Sequence, residues 1–311
     1  MGALGKLMAI SARVDPLLSE LSALCGAAES NAIRVSSIDA LATVLAKAGS
    51  TASPPVLEKI KGVTFSYLVA EDEALRGAAS AVCGHLAAYA ADGVDVGDLV
   101  LDLADLRGLK TEPAYSLSGR ISSLGRIVQS AGRKLAGSRA DTFAYLGEAF
   151  KDERLVNVCC AALVTAATPP DVAGAGAGAA ARLEEHAAET ALAWQAFAPN
   201  LCAAAGAERS EECRKLALSA IKLFAQRCPE HVRGSAKLLL PPLLAGFRDA
   251  ALYNVKALAE RAFYCLSDGG NAQIISAFAQ LLSGDDASYM RDYAKRVIAR
   301  MPPTEAEEEQ W

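Results

Sequence analysis

Apolar residues recur along this chain at steps of three and four, in segments that share one design. The first begins at Ile33-Arg34 and runs through Ile38, Leu41, Ala42 and Leu45 to Gly49. Each such segment has a cation near its start, then an apolar stripe, then Ala, Gly or Ser. The order returns at Leu75-Arg76 with Ala79, Val82, Leu86 and Tyr89, and at Gly119-Arg120 with Leu124, Ile127 and Val128. It returns again at Arg154 with Leu155, Val158 and Ala162, and at Arg214 with Leu216, Ala220 and Phe224. The last two are Lys256 with Leu258, Ala262 and Leu266, and Met290-Arg291 with Tyr293, Val297 and Met301. Spacing of this kind puts the stripe on one face of a helix.

The seven cations lie about 40 residues apart, which is the period of paired-helix repeats. A partner helix of similar length is predicted before each, for example Pro16 to Ala27, Pro54 to Val69, Asp141 to Phe150, Lys237 to Phe247 and Ile274 to Leu282. Asp72, Asp152 and Asp249 fall between partners, where a carboxylate accepts from the unpaired N–H groups of a helix start. Pro54-Pro55 and Pro241-Pro242 are expected in first turns, where a missing N–H costs little. A helix pair cannot bury its faces alone, so neighbouring pairs must stack. The predicted fold is all-α, a HEAT-type α-solenoid of about seven helix pairs spanning residues 1–301.

The longest step, from Arg154 to Arg214, holds Pro169-Pro170 and an Ala-Gly alternation from Ala173 to Gly178, read as an inserted loop over 168–180. Residues 302–311, with Glu305, Glu307, Glu308 and Glu309, read as a solvated acidic tail. At the other end, Ala3-Leu4-Gly5-Lys6-Leu7 looks like the last turns of a second helix whose partner is missing, so the chain is expected to be a C-terminal portion of a longer one.

Composition fits this picture. Of 311 residues, 52% are hydrophobic and only 6% aromatic, so Ala, Leu, Val and Ile carry the core. Ala and Leu are good helix formers, and no series of short β-branched runs with Asn-Gly or Asp-Gly turns is present. The formal charge of −5 argues against a protein built mainly to neutralise nucleic-acid phosphates. No segment reaches the roughly 18 consecutive apolar residues that span a bilayer, and no membrane partner is expected. A cytoplasmic location is.

Candidate chemistry is sparse. The eight cysteines never form Cys-x-x-Cys, and His85, His186 and His231 stand at no metal-binding spacing from them. Buried thiols in a reducing compartment are expected, with no metal and no cofactor. Vicinal Cys159-Cys160 point to different faces of a helix, which favours packing over redox work. The Gly174, Gly176, Gly178 alternation follows no strand and lacks dinucleotide-loop spacing. There is no phosphate loop and no nucleophile elbow, so no catalytic residue is assigned.

One polar feature stands out. From Ala114 to Ala140 there is no Asp or Glu, while Arg120, Arg126, Arg133, Lys134 and Arg139 supply five cations. Such a stretch in an acidic protein suits a phosphate backbone or an acidic partner; a solvated helix face is the plainer reading. Arg120 occupies the same place in the repeat as Arg34 and Arg76, which suits a role in holding repeats together.

The stretch from Ala3-Leu4-Gly5-Lys6-Leu7 through Val14-Asp15-Pro16-Leu17 resembles the C-terminal region of the very large HEAT-repeat translational activators of the amino-acid-starvation kinase, the general control non-derepressible family that senses stalled ribosomes. The resemblance continues through Ala78 to Leu86, Gly119-Arg120, Asp152-Glu153-Arg154-Leu155, and the block from Lys237 to Arg300 with Ala259-Glu260-Arg261-Ala262. Singly these are ordinary HEAT patterns; their collinear order carries the likeness. It implies a non-catalytic scaffold that binds ribosomes and helps activate the kinase acting on the alpha subunit of initiation factor two; on a ribosome, rRNA backbone phosphate is the partner expected for the acid-free basic stretch. The chain departs from the family in its short length and in the Ala-Gly insert, and no kinase-binding residue is carried over. A generic HEAT adaptor for complex assembly or transport, and an enzyme with an unrecognised site, stand as alternatives.

Overall fold

The computed structural model describes residues 11–89, 95–170 and 179–300. The expectations for Ala3 to Leu7, for residues 171–178 of the insert and for the 302–311 tail lie outside the described residues. Among the described residues every regular element is helical. The chain divides into two compact units, Met1–Thr190 and Ala191–Trp311.

Among the described residues of the first unit, helices follow in pairs: α1 (Ser11–Ala27) with α2 (Asn31–Ala48), α3 (Pro54–Leu68) with α4 (Glu73–Tyr89), α5 (Val96–Leu103) with α6 (Ala114–Ala131), and α7 (Arg139–Ala149) with α8 (Val156–Ala167). The second helices touch in chain order, α2 to α4 to α6 to α8, and the first helices form another layer through α1 with α3 and α5 with α7. That is the stacking of an α-solenoid, as the repeat predicts. The stripes are core: Ile38, Leu41, Leu45, Ala79, Val82, Leu86, Leu124 and Ile127 are all buried.

Small residues let α6 sit close to its neighbours on both sides. A Cβ on Gly119 would lie 2.0 Å from Leu68 O at the end of α3, and one on Gly125 would lie 2.6 Å from Ala162 O in α8. The starts of the second helices are capped as the turn residues suggest. Ser30 Oγ accepts from Ile33 N at 3.3 Å and Asp72 Oδ1 from Leu75 N at 3.1 Å, each satisfying an otherwise unpaired donor.

Helix α9 (Ala179–Ala204) contains the boundary between the units. The second unit continues with α10 (Glu211–Arg227), a short α11 (Pro229–Gly234), α12 (Ala236–Arg248), α13 (Tyr253–Leu266), α14 (Ala272–Gln280) and α15 (Asp285–Arg300). Here α10 packs on α13, α12 on α13, and α14 and α15 on each other. Trp194 of α9 is fully buried, tilted against Phe224 of α10 with ring centroids 5.4 Å apart, and its indole N–H donates to Ser235 Oγ at 3.2 Å.

Four sequence expectations need correcting. Pro16 lies inside α1 and does not open it. Pro241-Pro242 lie inside α12 and not in a first turn, because the helix begins at Ala236. Each proline costs about 3 kcal/mol or more within a helix. Burial of Leu239, Leu240, Leu243, Leu244 and Phe247, at about 1.5–3 kcal/mol each, outweighs that. In α13 the core face is Val255, Ala259, Ala262, Phe263 and Leu266, while Leu258 is half-buried. Arg154 precedes α8, is exposed, and among the described residues binds only its neighbour Asp152, so it does not share the place of the other repeat cations.

Candidate partner-binding surface

The recurring arginines come first, because they show what a cation in this repeat does by default. In Arg34, Arg76, Arg120 and Arg214 the Nε is buried with no hydrogen-bond partner among the described residues. In all four the terminal nitrogens reach an acceptor at a turn or helix end. Arg34 Nη1 donates to Asn31 Oδ1 at 3.1 Å, and Asn31 Nδ2 donates across to Asp72 Oδ2 at 2.9 Å. Arg76 Nη1 donates to the carbonyls of Ala70 and Glu71 at 2.8 and 2.7 Å, just past the end of α3. Arg214 Nη1 lies 2.7 Å from Asp249 Oδ2 in the turn before α13. In Arg76 and Arg120 the head fastens the turn between the two helices of one pair, while Arg214, and Arg34 through Asn31, reach the turn of the next pair, so these cations are spent on holding helix ends in place.

Arg120 belongs to that set. Its Nη1 donates to Asp102 O at 3.1 Å and its Nη2 pairs with Glu112 at 3.0 Å. Arg126 is half-buried, its Cβ 3.0 Å from where a Cβ on Gly84 would stand. Its Nη1 donates to Gln129 Oε1 at 3.4 Å, and Gln129 in turn donates to Thr168 O at 3.1 Å. Burial lowers the Arg126 pKa, which leaves a guanidinium still charged at neutral pH.

Arg139, at the start of α7, forms a two-pronged pair with Glu189 of α9, whose side chain is only 6% exposed. Glu189 raises the Arg139 pKa through that hydrogen bond. Beside it on α9, His186 Nε2 lies 2.8 Å from Ala166 O, and Thr190 Oγ1 donates to His186 O at 2.7 Å.

Arg133 and Lys134 differ from the rest. They occupy the turn Gly132–Leu135, and both are exposed. Gly132 sits at φ +54°, and a Cβ there would come within 2.6 Å of Glu185 Oε2. The positive φ is what favours glycine in this turn, since the Glu185 carboxylate could swing aside. Arg133 Nε pairs with Glu185 at 3.2 Å while its side chain stays 87% exposed. Lys134 Nζ donates to Ala88 O near the end of α4 at 3.4 Å.

The stretch that holds no acid in the sequence thus meets acids in space. Glu112, Glu185 and Glu189 face Arg120, Arg133 and Arg139. Two of these acids lie on α9, beyond the insert, and no local pattern around the cations points to them. What remains outward is the Arg133-Lys134 turn.

Other chemistry finds little support. Burial pushes the thiols of Cys83, Cys159, Cys202 and Cys228 up to about 12, so they stay protonated at neutral pH and are poor nucleophiles. Among the described residues no group of three or more His, Cys, Asp or Glu is placed to hold a metal ion. No described helix is long and apolar enough to cross a membrane.

No protein-family model matches the chain, and no curated protein does. Among solved structures it is similar to a designed armadillo repeat protein, at 14% identity over 81% of this chain and 99% of that one, with a TM-score of 0.43. A second designed armadillo protein, solved in complex with a (KR)4 peptide, has 14% identity over 81% and 98% and a TM-score of 0.42. Importin beta is similar over 93% of this chain and 41% of its own length, at 15% identity and a TM-score of 0.38.

Proposed function

We propose that the chain is a non-catalytic repeat scaffold whose work is to hold other macromolecules, and that it serves translation as the C-terminal part of a ribosome-associated activator of the kinase acting on initiation factor two alpha. The scaffold reading is supported by how the polar groups are used. The buried arginines and their acceptors are spent on fastening helix to turn, and the deep thiols are held protonated.

The translational reading rests on the collinear sequence resemblance to the general control non-derepressible activators. The single structural observation that favours it is the exposed Arg133-Lys134 turn, the part of the basic stretch left outward to meet rRNA phosphate. Two exposed cations make a small electrostatic contribution, so the contact would position the scaffold and protein surfaces would supply most of the affinity.

The direct test is co-sedimentation of the purified chain with ribosomes through a sucrose cushion, alongside capture of the kinase by the same chain. Retention in the ribosome pellet, and its loss as salt rises, is the expected result. A folded chain that stays in the supernatant at low salt, and that captures no kinase, would leave only the generic adaptor.

A further inference from the structure

The last helix pair carries a groove that none of the contacts above uses. Its volume is about 490 Å³, and its floor is apolar, formed by Ile275 of α14 with Ala294 and Ile298 of α15. The residues of α15 that face it recur at 291, 294, 295 and 298, so one wall runs about two turns, or roughly 10 Å. The adjoining face of α15 is already occupied: Tyr293 stacks on Phe247 of α12 with centroids 4.8 Å apart, and Met290 and Val297 are buried beside it.

The turn from α13 closes one end. Gly270 has φ +96°, and a Cβ there would come within 2.7 Å of Ile298 Cδ1. Glycine is what brings that backbone against Ile298 without filling the space beside it.

The rim is charged with one sign. Arg291 and Lys295, one helical turn apart, both line the groove and are exposed, and among the described residues no acid lines it. Among the described residues neither has an ion-pair partner. That sets them apart from Arg120, Arg133, Arg139, Arg214 and Arg248, each of which is paired with a carboxylate.

We propose that this groove is a docking site for an acidic peptide segment of a partner protein, one that lays an aliphatic or aromatic anchor on Ile275 and Ile298 and sets its carboxylates against Arg291 and Lys295. The two-turn wall suits a peptide better than a compact metabolite. An apolar floor with two cations on one edge also fits an acidic peptide better than a nucleic-acid backbone, which would need a track of cations. The proposal stands independently of any ribosome contact.

The test uses the full chain and a displayed library of random peptides. Enriched sequences are then remade as synthetic peptides and measured by fluorescence polarisation against the wild-type chain, the R291E/K295E variant and S276F. The first variant reverses the rim. The second places a ring in the groove from Ser276, an exposed lining position. Both changes are on exposed side chains, and circular dichroism checks that the helices are retained.

Enrichment of acidic residues around one aliphatic or aromatic residue is expected, with affinity falling roughly tenfold in R291E/K295E, a similar loss in S276F, and weakening as salt rises. Failure to enrich, a basic or purely apolar consensus, or binding that survives both variants would overturn the proposal. So would binding seen only in a chain ending at Met301, which would assign the groove to the acidic segment that follows. A dimer abolished by S276F would assign it to a second copy, with the same consequence.

Discussion

Arg214 Nη1 lies 2.7 Å from Asp249 Oδ2, joining the start of α10 to the turn before α13, with the arginine side chain only 4% exposed. Its Nε and Nη2 are buried with no partner among the described residues. This is a cation held for its place in the stack, and its removal should be felt there. Arg214→Ala is expected to destabilise the second unit by about 2–4 kcal/mol, since it opens a cavity and leaves Asp249 without its charge partner. Asp249 keeps its bonds from Ala251 N and Leu252 N, which holds the cost below that of a stranded buried charge. Urea denaturation followed by the fluorescence of buried Trp194 reads the change. Arg154→Ala, at an exposed cation bound only to Asp152, should shift the midpoint little.

The same pair gives a pH dependence. The Leu252 N–H, and after it Arg214, hold the Asp249 carboxyl below its ordinary value; the Leu75 N–H and the Asn31 side chain do the same for Asp72. A depressed folded-state pKa contributes stability that is present above the unfolded value, near 3.9, and lost as pH falls through the folded one. Stability should therefore decline as pH drops below about 4. In Asp249→Asn the decline in the second unit should be shallower, because the titrating group is gone. An acid limb of unchanged slope in that variant would show that Asp249 is not among the groups responsible.

Two glycines on neighbouring helices should respond oppositely to the same change. Gly119 meets Leu68 O so closely that Gly119→Ala must push α6 away from α3, at a cost of about 1–3 kcal/mol. Gly77 in α4 has nothing within 4 Å of its Cβ position, so Gly77→Ala should stabilise by about 0.5–1 kcal/mol through helix propensity. Thermal unfolding of the two variants compares them directly. Equal shifts would mean that the contact between α3 and α6 is looser than 2.0 Å implies.

Ala262 is fully buried in α13 beside Phe263. Ala262→Asp would bury a carboxylate with no partner, and a loss of more than about 3 kcal/mol is expected. An unchanged thermal midpoint would contradict the placement of that face.

Much of the architecture was legible because a helix writes its buried face into the chain at steps of three and four. The stripes at Ile38 to Leu45 and at Ala79 to Leu86 are core, and the partner helices predicted from Pro54, Asp141, Lys237 and Ile274 begin and end within a few residues of their predicted bounds, while the one predicted from Pro16 is already helical from Ser11. Proline misled the reading of α12, because five buried apolar side chains overrode a local penalty that the sequence alone shows. Arg154 misled it because an Arg-Leu pair looks the same before a helix as within one.

The basic stretch was legible as composition and not as a surface. Its neutralising acids, Glu185 and Glu189, come from α9, and a pairing across the fold leaves no local mark. Arg120 alone gave a usable signal, since its place in the repeat matched Arg34 and Arg76 and it too is spent on the structure, though its contacts fasten α6 to the end of α5 and the loop between them and not to a neighbouring repeat.

That distinction decides how the translational role is best tested. Arg120→Glu would break the contacts to Glu112 and Asp102 O, so a loss of binding in that variant would report misfolding as readily as recognition. Arg133 and Lys134 lie outward on one turn, and truncating both to Ala gives up only an exposed pair with Glu185 and a long bond to Ala88 O, without setting a carboxylate against Glu185 as reversal would. The decisive measurement is ribosome co-sedimentation of the wild-type chain and of the R133A/K134A variant at low salt, with thermal unfolding recorded on the same samples. The expected result is that the wild-type chain pellets with ribosomes, and that the variant unfolds at the same temperature yet pellets substantially less. A wild-type chain that never pellets would contradict the ribosome-bound role, and a normally folded variant that pellets as well as wild type would contradict the Arg133-Lys134 contact.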